Sequence, residues 1–301
     1  MLTRKQKHIF LKFFSMFSVV RGYNILVIIS AQYLASIYIF ASDKPLKQVL
    51  FDLNLLMLVL ATAAVIAGGY IINNFYDSEK DLINRPNKTL LDKLVSQNTK
   101  LSFYFVLNFS AVVMASYVSF KPVLFFSFYI FSIWFYSHKL KKIPIVGNVV
   151  SAVLTLTPFF VIFVYYYNFK SVIFVHATFL FLIILIRELT KDLENIKGDL
   201  TLNYRTIPIV YGENMSKKII TCLVVLTLFP VYFLITKFDV GDMYFYFYMC
   251  EILLITYLLL LWRSTTKTQY LWLHNILKFI IVAGVFSILL IDIDLVLNRI
   301  L

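Results

Sequence analysis

Apolar runs of bilayer length recur along almost the whole chain, near residues 16–41, 49–75, 99–118, 121–138, 145–167, 171–190, 215–237, 242–263 and 274–296. A helix needs about 20 apolar residues to cross the hydrocarbon core. The expected fold class is therefore all-α: a polytopic membrane protein of about nine spans. Composition supports this, since 60% of the 301 residues are hydrophobic and only 15% charged. An ordinary soluble domain has about 45–50% apolar and about 25% charged residues, and a water-soluble fold of this length could not hide the excess. The 30 Phe and 20 Tyr fit lipid-embedded helices with aromatic belts at the interfaces.

The connections alternate in charge. The N-terminal tail and segments 76–98, 138–143, 191–218 and 263–273 carry Lys and Arg clusters, whereas 42–48, 119–121, 168–170 and 238–241 are short and carry few. Positive segments stay on the cytoplasmic side, which places the N-terminus inside, the C-terminus outside and the chain in the cell (inner) membrane as a multi-pass protein. The same bias, with attraction to anionic headgroups, accounts for the net charge of +12 and removes the case for nucleic acid. Cys222 and Cys250 lie in apolar runs without CxxC spacing, so neither a disulfide framework nor a zinc site is expected. Arg4, Lys5, Lys7 and Lys12 precede a first run of span length with no small-residue cleavage site after it, so that run is expected to be retained.

Chemistry concentrates at the cytoplasmic ends of two spans. The second ends in Asn73, Asp77 and Asp81, at i, i+4 and i+8. At 100° per residue these fall within about 80° on one helical face. The sixth ends in Glu188, Asp192, Asn195 and Asp199, within about 60° of one another by the same arithmetic. One charged helix end is usually a solvated boundary. Two on the same membrane side, each confined to one face, point to a site. Carboxylates gathered there repel unless a cation intervenes. Oxygen donors without His or Cys suit Mg²⁺, which keeps several waters and is shared with substrate phosphates, so a diphosphate is the expected guest.

A basic loop follows each stripe, with Arg85 and Lys88 after the first and Arg205 after the second. Arg suits bidentate phosphate contact and Lys acts as a point charge. The pattern reads as one domain over residues 1–301 with two weakly repeated halves, whose motifs lie at 73–81 and 192–199. A cation-coupled transporter is the competing class, but transporter sites favour broken helices near the bilayer midplane, whereas these motifs sit at span ends.

These residues resemble the UbiA family of intramembrane prenyltransferases. Asn73, Asp77 and Asp81, with Arg85-Pro86 trailing, match the family's NxxxDxxxD signature. Its second motif is similar to Arg187-Glu188 through Lys191-Asp192 to Asn195 and Asp199, except that Asn195 replaces a carboxylate. Arg21-Gly22-Tyr23-Asn24 and Tyr136-Ser137-His138-Lys139-Leu140-Lys141 are further family-like phrases. The resemblance implies a nine-helix bundle around a central cavity with a polar cytoplasmic cap. It also implies Mg²⁺-dependent transfer of a prenyl group from an isoprenyl diphosphate to a lipophilic acceptor. Asn73, Asp77, Asp81, Asp192, Asn195 and Asp199 are then the metal ligands, and Asp77, Asp81, Asp192 and Asp199 the catalytic carboxylates. Arg85, Lys88, Lys139, Lys141 and Arg205 become diphosphate contacts, with Arg21, Asn24 and Lys191 in the pocket. Arg187-Glu188-x-x-Lys191-Asp192 and Asn203-Tyr204-Arg205-Thr206-Ile207-Pro208 look closest to the branch that prenylates a glycerol phosphate lipid precursor. A 4-hydroxybenzoate or naphthoate acceptor of quinone biosynthesis is the alternative. Membrane lipids are the expected surroundings, and nothing calls for an obligatory protein partner.

Overall fold

The computed structural model describes residues 4–292, and within them the chain is helical with no strand. Nine helices among the described residues are long and apolar enough to cross a membrane, in agreement with the span count. The chain is a multi-pass membrane protein. The last expected span, 274–296, overlaps a helix over Lys267–Ser287, and its end past residue 292 lies outside the described residues.

The chain divides into two compact units. The first comprises Met1–Ile29 and Leu53–Leu140. It contains helix α1 (Arg4–Val19), the start of α2 (Gly22–Ala35), and α4 (Leu53–Asn84), α5 (Pro86–Asp92), α6 (Gln97–Val118) and α7 (Phe120–His138); α3 (Leu46–Leu50) belongs to the second unit. The apolar run expected as a single span over 16–41 is interrupted: α1 stops at Val19, and Arg21 takes φ 51° before α2 begins. Helix α4 is the centre of this unit and packs on α6 and α7. Small residues make that approach close. A Cβ on Gly68 would meet the Asn108 side chain at 3.1 Å, and one on Gly69 would meet Ile133 at 3.1 Å. Ala61, Ala111 and Ala115 are fully buried beside them. Membrane helices lack a hydrophobic drive toward one another and rely on such close packing.

The second unit comprises Ser30–Asp52 and Lys141–Leu301. Here α9 (Ser171–Thr201) packs on α8 (Val146–Tyr166), α11 (Glu213–Lys237) and α13 (Lys267–Ser287), while α12 (Tyr244–Arg263) packs on α11 and α13. Its core is built from Phe179, Ile183 and Ile186 of α9, Phe247, Leu254 and Tyr257 of α12, and Leu273 and Leu277 of α13. Several buried polar groups pair across helices. The Thr190 and Tyr257 hydroxyls lie 2.6 Å apart, and Gln32 Nε2 donates to the Pro158 carbonyl at 2.8 Å. Outward-facing Phe229 and Ile252 leave an apolar exterior, as a lipid-facing surface requires.

Two helices outrun the spans that hydropathy delimits. α4 has 32 residues and α9 has 31, so each is about 48 Å long at 1.5 Å per residue and carries its whole acidic stripe without a break.

Candidate active site

On α4, Asp77 is buried while Asn73 and Asp81 are half-buried. Lys80, one turn on, approaches Asp77 Oδ1 at 3.7 Å. The helix stops because Pro86 follows Arg85: a residue before proline is pushed out of the α region, and Arg85 sits at φ −142°, ψ 62°. Pro86 then opens α5 at its first position, where a missing N–H costs nothing. The Arg85 carbonyl accepts from both Thr89 N (3.0 Å) and Thr89 Oγ1 (3.1 Å), so this basic residue is fixed in the corner between two helices.

Arg21 and Asn24 converge on Tyr70, one turn before Asn73. The Arg21 guanidinium stands 5.0 Å from the ring centroid, a cation–π distance. Asn24 Nδ2 donates to the Tyr70 hydroxyl at 3.0 Å. Tyr70 was not singled out by sequence reasoning, because a tyrosine in an apolar helix carries no local signal. Lys88 bonds within its own helix, to Asp92 Oδ2 at 2.9 Å. Lys139 is exposed at the C-terminus of α7, next to His138, whose ring stacks on Trp134 and lies 5.4 Å from that of Tyr76.

In the second unit the four acidic-stripe residues differ in their partners. Glu188 is neutralised by Lys191 Nζ at 3.0 Å and Arg187 at 3.6 Å, which places Lys191 on Glu188. Asp192 instead accepts a neutral hydrogen bond, from Asn148 Nδ2 at 2.7 Å. Asn148 opens α8, just after Ile145 at φ 65°, a conformation rare for a β-branched residue. Asn195 Nδ2 donates to the Lys191 carbonyl at 2.8 Å, so cation ligation by this amide would run through Oδ1.

Asp199 lies where α9 ends, and the ending has a clear cause. Asn203 takes φ 55°, a left-handed conformation that Asn tolerates. Tyr204 N bonds back to the Asp199 carbonyl at 2.9 Å and Asn203 N to Leu200 at 3.3 Å, the pattern of a Schellman cap. The turn returns Thr206 Oγ1 to Asp199 Oδ2 at 3.3 Å, and leaves Arg205 exposed with its N–H on the Lys142 carbonyl at 3.2 Å. Lys141 is half-buried at the start of that segment. Asp192 thus accepts from the Asn148 amide and Asp199 from the Thr206 hydroxyl, and Glu188 is paired with Lys191 and Arg187.

The sequence profile of the UbiA prenyltransferase family matches residues 24–296, nearly the whole chain. The chain belongs to this family. It is accordingly a prenyltransferase, as the motif reading expects. Among its relatives, digeranylgeranylglyceryl phosphate synthase of Thermococcus sibiricus is 34% identical over 166 residues, covering 54% of this chain and 58% of that protein. The namesake from Thermococcus gammatolerans is 29% identical over 238 residues, covering 78% and 85%. A solved structure of a digeranylgeranylglyceryl phosphate synthase in membranes shares the fold with a TM-score of 0.69 at 23% identity, over 94% of this chain and 99% of that one. A UbiA homolog from Archaeoglobus fulgidus, bound to GPP and Mg²⁺, follows with a TM-score of 0.65 at 12% identity, over 91% and 99%.

The donor set in this UbiA chain is chemically matched to a hard cation. Every side chain on the two stripes offers oxygen, and no His or Cys intrudes. Among the described residues, no three His, Cys, Asp or Glu side chains of either unit converge as a self-sufficient metal cage. Oxygen donors of this kind suit Mg²⁺, which keeps waters and takes part of its coordination from substrate phosphates.

Proposed function

We propose that this chain transfers the prenyl group of an isoprenyl diphosphate to the hydroxyl of a glycerol phosphate-type lipid acceptor, with Mg²⁺, from the cytoplasmic side of the cell membrane. The observation that carries this reading is the pair of one-faced oxygen-donor stripes, each continuing a membrane span in unbroken helix. Asn73, Asp77 and Asp81 would hold cation on α4, and Asp192, Asn195 and Asp199 would hold cation on α9. Mg²⁺, when bound, neutralises the diphosphate as it leaves. Arg85, Lys88, Lys139, Lys141 and Arg205 grip the diphosphate oxygens, while Arg21, Asn24 and Lys191 shape the pocket. Apolar and aromatic spans keep water from the electron-deficient C1. The C1–O bond to diphosphate breaks, the acceptor oxygen bonds to C1, and its proton is lost to solvent. The repeated stripe-plus-basic-loop pattern supports treating residues 1–301 as one prenyltransferase domain with two related halves.

The glycerol phosphate acceptor is favoured because relatives named digeranylgeranylglyceryl phosphate synthase recur with matches over most of the chain. The test is incubation of membranes with geranylgeranyl diphosphate and either geranylgeranylglyceryl phosphate or 4-hydroxybenzoate, with products identified by mass spectrometry. A prenylated glyceryl phosphate that disappears with EDTA is expected. Exclusive labelling of 4-hydroxybenzoate would overturn the acceptor assignment, and activity in sealed right-side-out vesicles but not everted ones would overturn the orientation.

Asn148 is assigned to holding Asp192. Removing a group that orients a metal ligand costs about 10–100-fold in metal affinity. Asn148→Ala is therefore expected to raise the Mg²⁺ concentration for half-maximal transfer about tenfold, with a much smaller change at saturating Mg²⁺. A Mg²⁺ titration identical to wild type would remove Asn148 from the site.

A further inference from the structure

The first unit buries a polar cluster that the metal stripe does not use. Asp92, at the end of α5, receives three donors: Ser18 Oγ of α1 on Oδ1 at 2.9 Å, and Asn74 Nδ2 of α4 at 3.1 Å and Lys88 Nζ at 2.9 Å on Oδ2. Asn74 passes the connection on, since its Oδ1 accepts from Lys100 Nζ of α6 at 3.0 Å. Four helices meet on one carboxylate and one amide. Asp92 and Lys100 are each only 2% exposed.

An i,i+4 ion pair on a short exposed helix is worth little and does not fix a side chain. Here the acidic member is sunk and held from two other helices, while the Lys88 side chain stays 33% exposed. The pair therefore has an anchored root and an open head. An ammonium has three donors, so with one on Asp92 two remain for an anion. The cluster also holds two ammonium groups, Lys88 and Lys100, against the single carboxylate of Asp92. Buried charge of one sign beyond its partner attracts the opposite sign strongly in a poorly screened site. Asn74 neighbours Asn73 on α4, about 100° round the helix, so the cluster sits at the height where the oxygen stripe begins.

We propose that Asp92 is a positioning residue for diphosphate: with Ser18, Asn74 and Lys100 it holds the Lys88 ammonium in place to receive phosphate oxygen. This rests on the reading of the loop after α4 as a diphosphate-binding segment. Lys100 adds positive charge and Asn74 links it to Asp92, neither touching substrate. The arrangement accounts for an aspartate inside a loop otherwise read as basic.

The experiment combines Asp92→Asn, Lys88→Met and the double variant in detergent-purified protein. It measures KM and kcat for geranylgeranyl diphosphate, and calorimetric binding of inorganic diphosphate with Mg²⁺. Loss of one charge-assisted hydrogen bond corresponds to about ten- to hundredfold in affinity. Each single variant is expected to raise KM and the diphosphate dissociation constant about tenfold, with kcat changed less than about threefold, and the double variant to be no worse than either. Ser18→Ala, which loosens the anchor from α1 alone, is expected to give a smaller rise of the same kind. Unchanged affinity in Asp92→Asn, or effects that multiply in the double variant, would overturn the proposal while wild-type transfer stands. Absence of transfer by the wild-type chain would instead overturn the enzyme reading, and the calorimetric comparison would still decide the role of Asp92.

Discussion

Asp77→Ala and Asp199→Ala are each expected to reduce kcat for prenyl transfer by at least about 10²–10³-fold, the scale set by deleting one preorganised group that stabilises transition-state charge. Both carboxylates are buried on continuous helix, so neither can be replaced by a neighbour that swings in. Asp199 is the sharper case. Its backbone carbonyl belongs to the turn that ends α9, and its side chain accepts from Thr206. Alanine preserves the backbone bond to Tyr204 and deletes only the carboxylate, so the variant should fold. The check is transfer from radiolabelled prenyl diphosphate with Mg²⁺, beside a thermal melt in detergent. Undiminished transfer by both variants would sink the site assignment.

The largest stability effect is expected from Phe247→Ala. Phe247 is fully buried in the second unit, with its ring 5.5 Å from Phe179 and 5.3 Å from Tyr246. Truncating such a ring removes dispersion contacts and leaves a cavity that helices pinned by their neighbours cannot close, which costs about 3–5 kcal/mol. A drop of several degrees in the detergent melting temperature is expected, with transfer per folded molecule retained. An unchanged melt would mean that the α9 and α12 faces do not carry this unit. The contrast separates the two classes of variant: Asp199→Ala should lose turnover and keep its melt, and Phe247→Ala the reverse.

Hydropathy and helical spacing made much of this molecule legible from sequence. The apolar runs correspond to the helices, and 3.6-residue periodicity placed each oxygen stripe on one face because both stretches remain helical beyond the apolar part. Hydropathy could not see that continuation: it falls at Phe75 and Thr190, whereas Glu, Lys and Leu still support a helix. It also passed over the break at Arg21, because a span-length window averages Arg21, Gly22 and Asn24 into the apolar run from residue 16 to 41, and the interruption is a backbone turn beneath a guanidinium facing Tyr70.

Pairings across the fold were the least accessible. Asn148 and Asp192 are 44 positions apart, and Ser18 and Asp92 are 74 apart. Lys100 heads an apolar run and reads as an ordinary span boundary, yet it is as buried as the aliphatic core. Lys88, read as a diphosphate contact, and Lys191, read as a pocket residue, also pair with carboxylates one turn away in their own helices. Each half-motif is local and visible. The groups that orient it come from elsewhere in the chain, and sequence spacing holds no record of them.

The unbroken course of α4 and α9 makes each helix a rod with its oxygen stripe fixed near one end. Such a rod has no joint between lipid-embedded segment and carboxylates with which to absorb a change in hydrocarbon thickness. A thinner or thicker bilayer is instead met by tilt or by vertical displacement, and the height of Asp77, Asp81, Asp192 and Asp199 relative to the headgroups shifts with it. On the proposed site, lipid chain length would thereby become a physical variable for catalysis, acting on how far a membrane-dissolved prenyl tail must reach before its diphosphate meets the oxygen stripes.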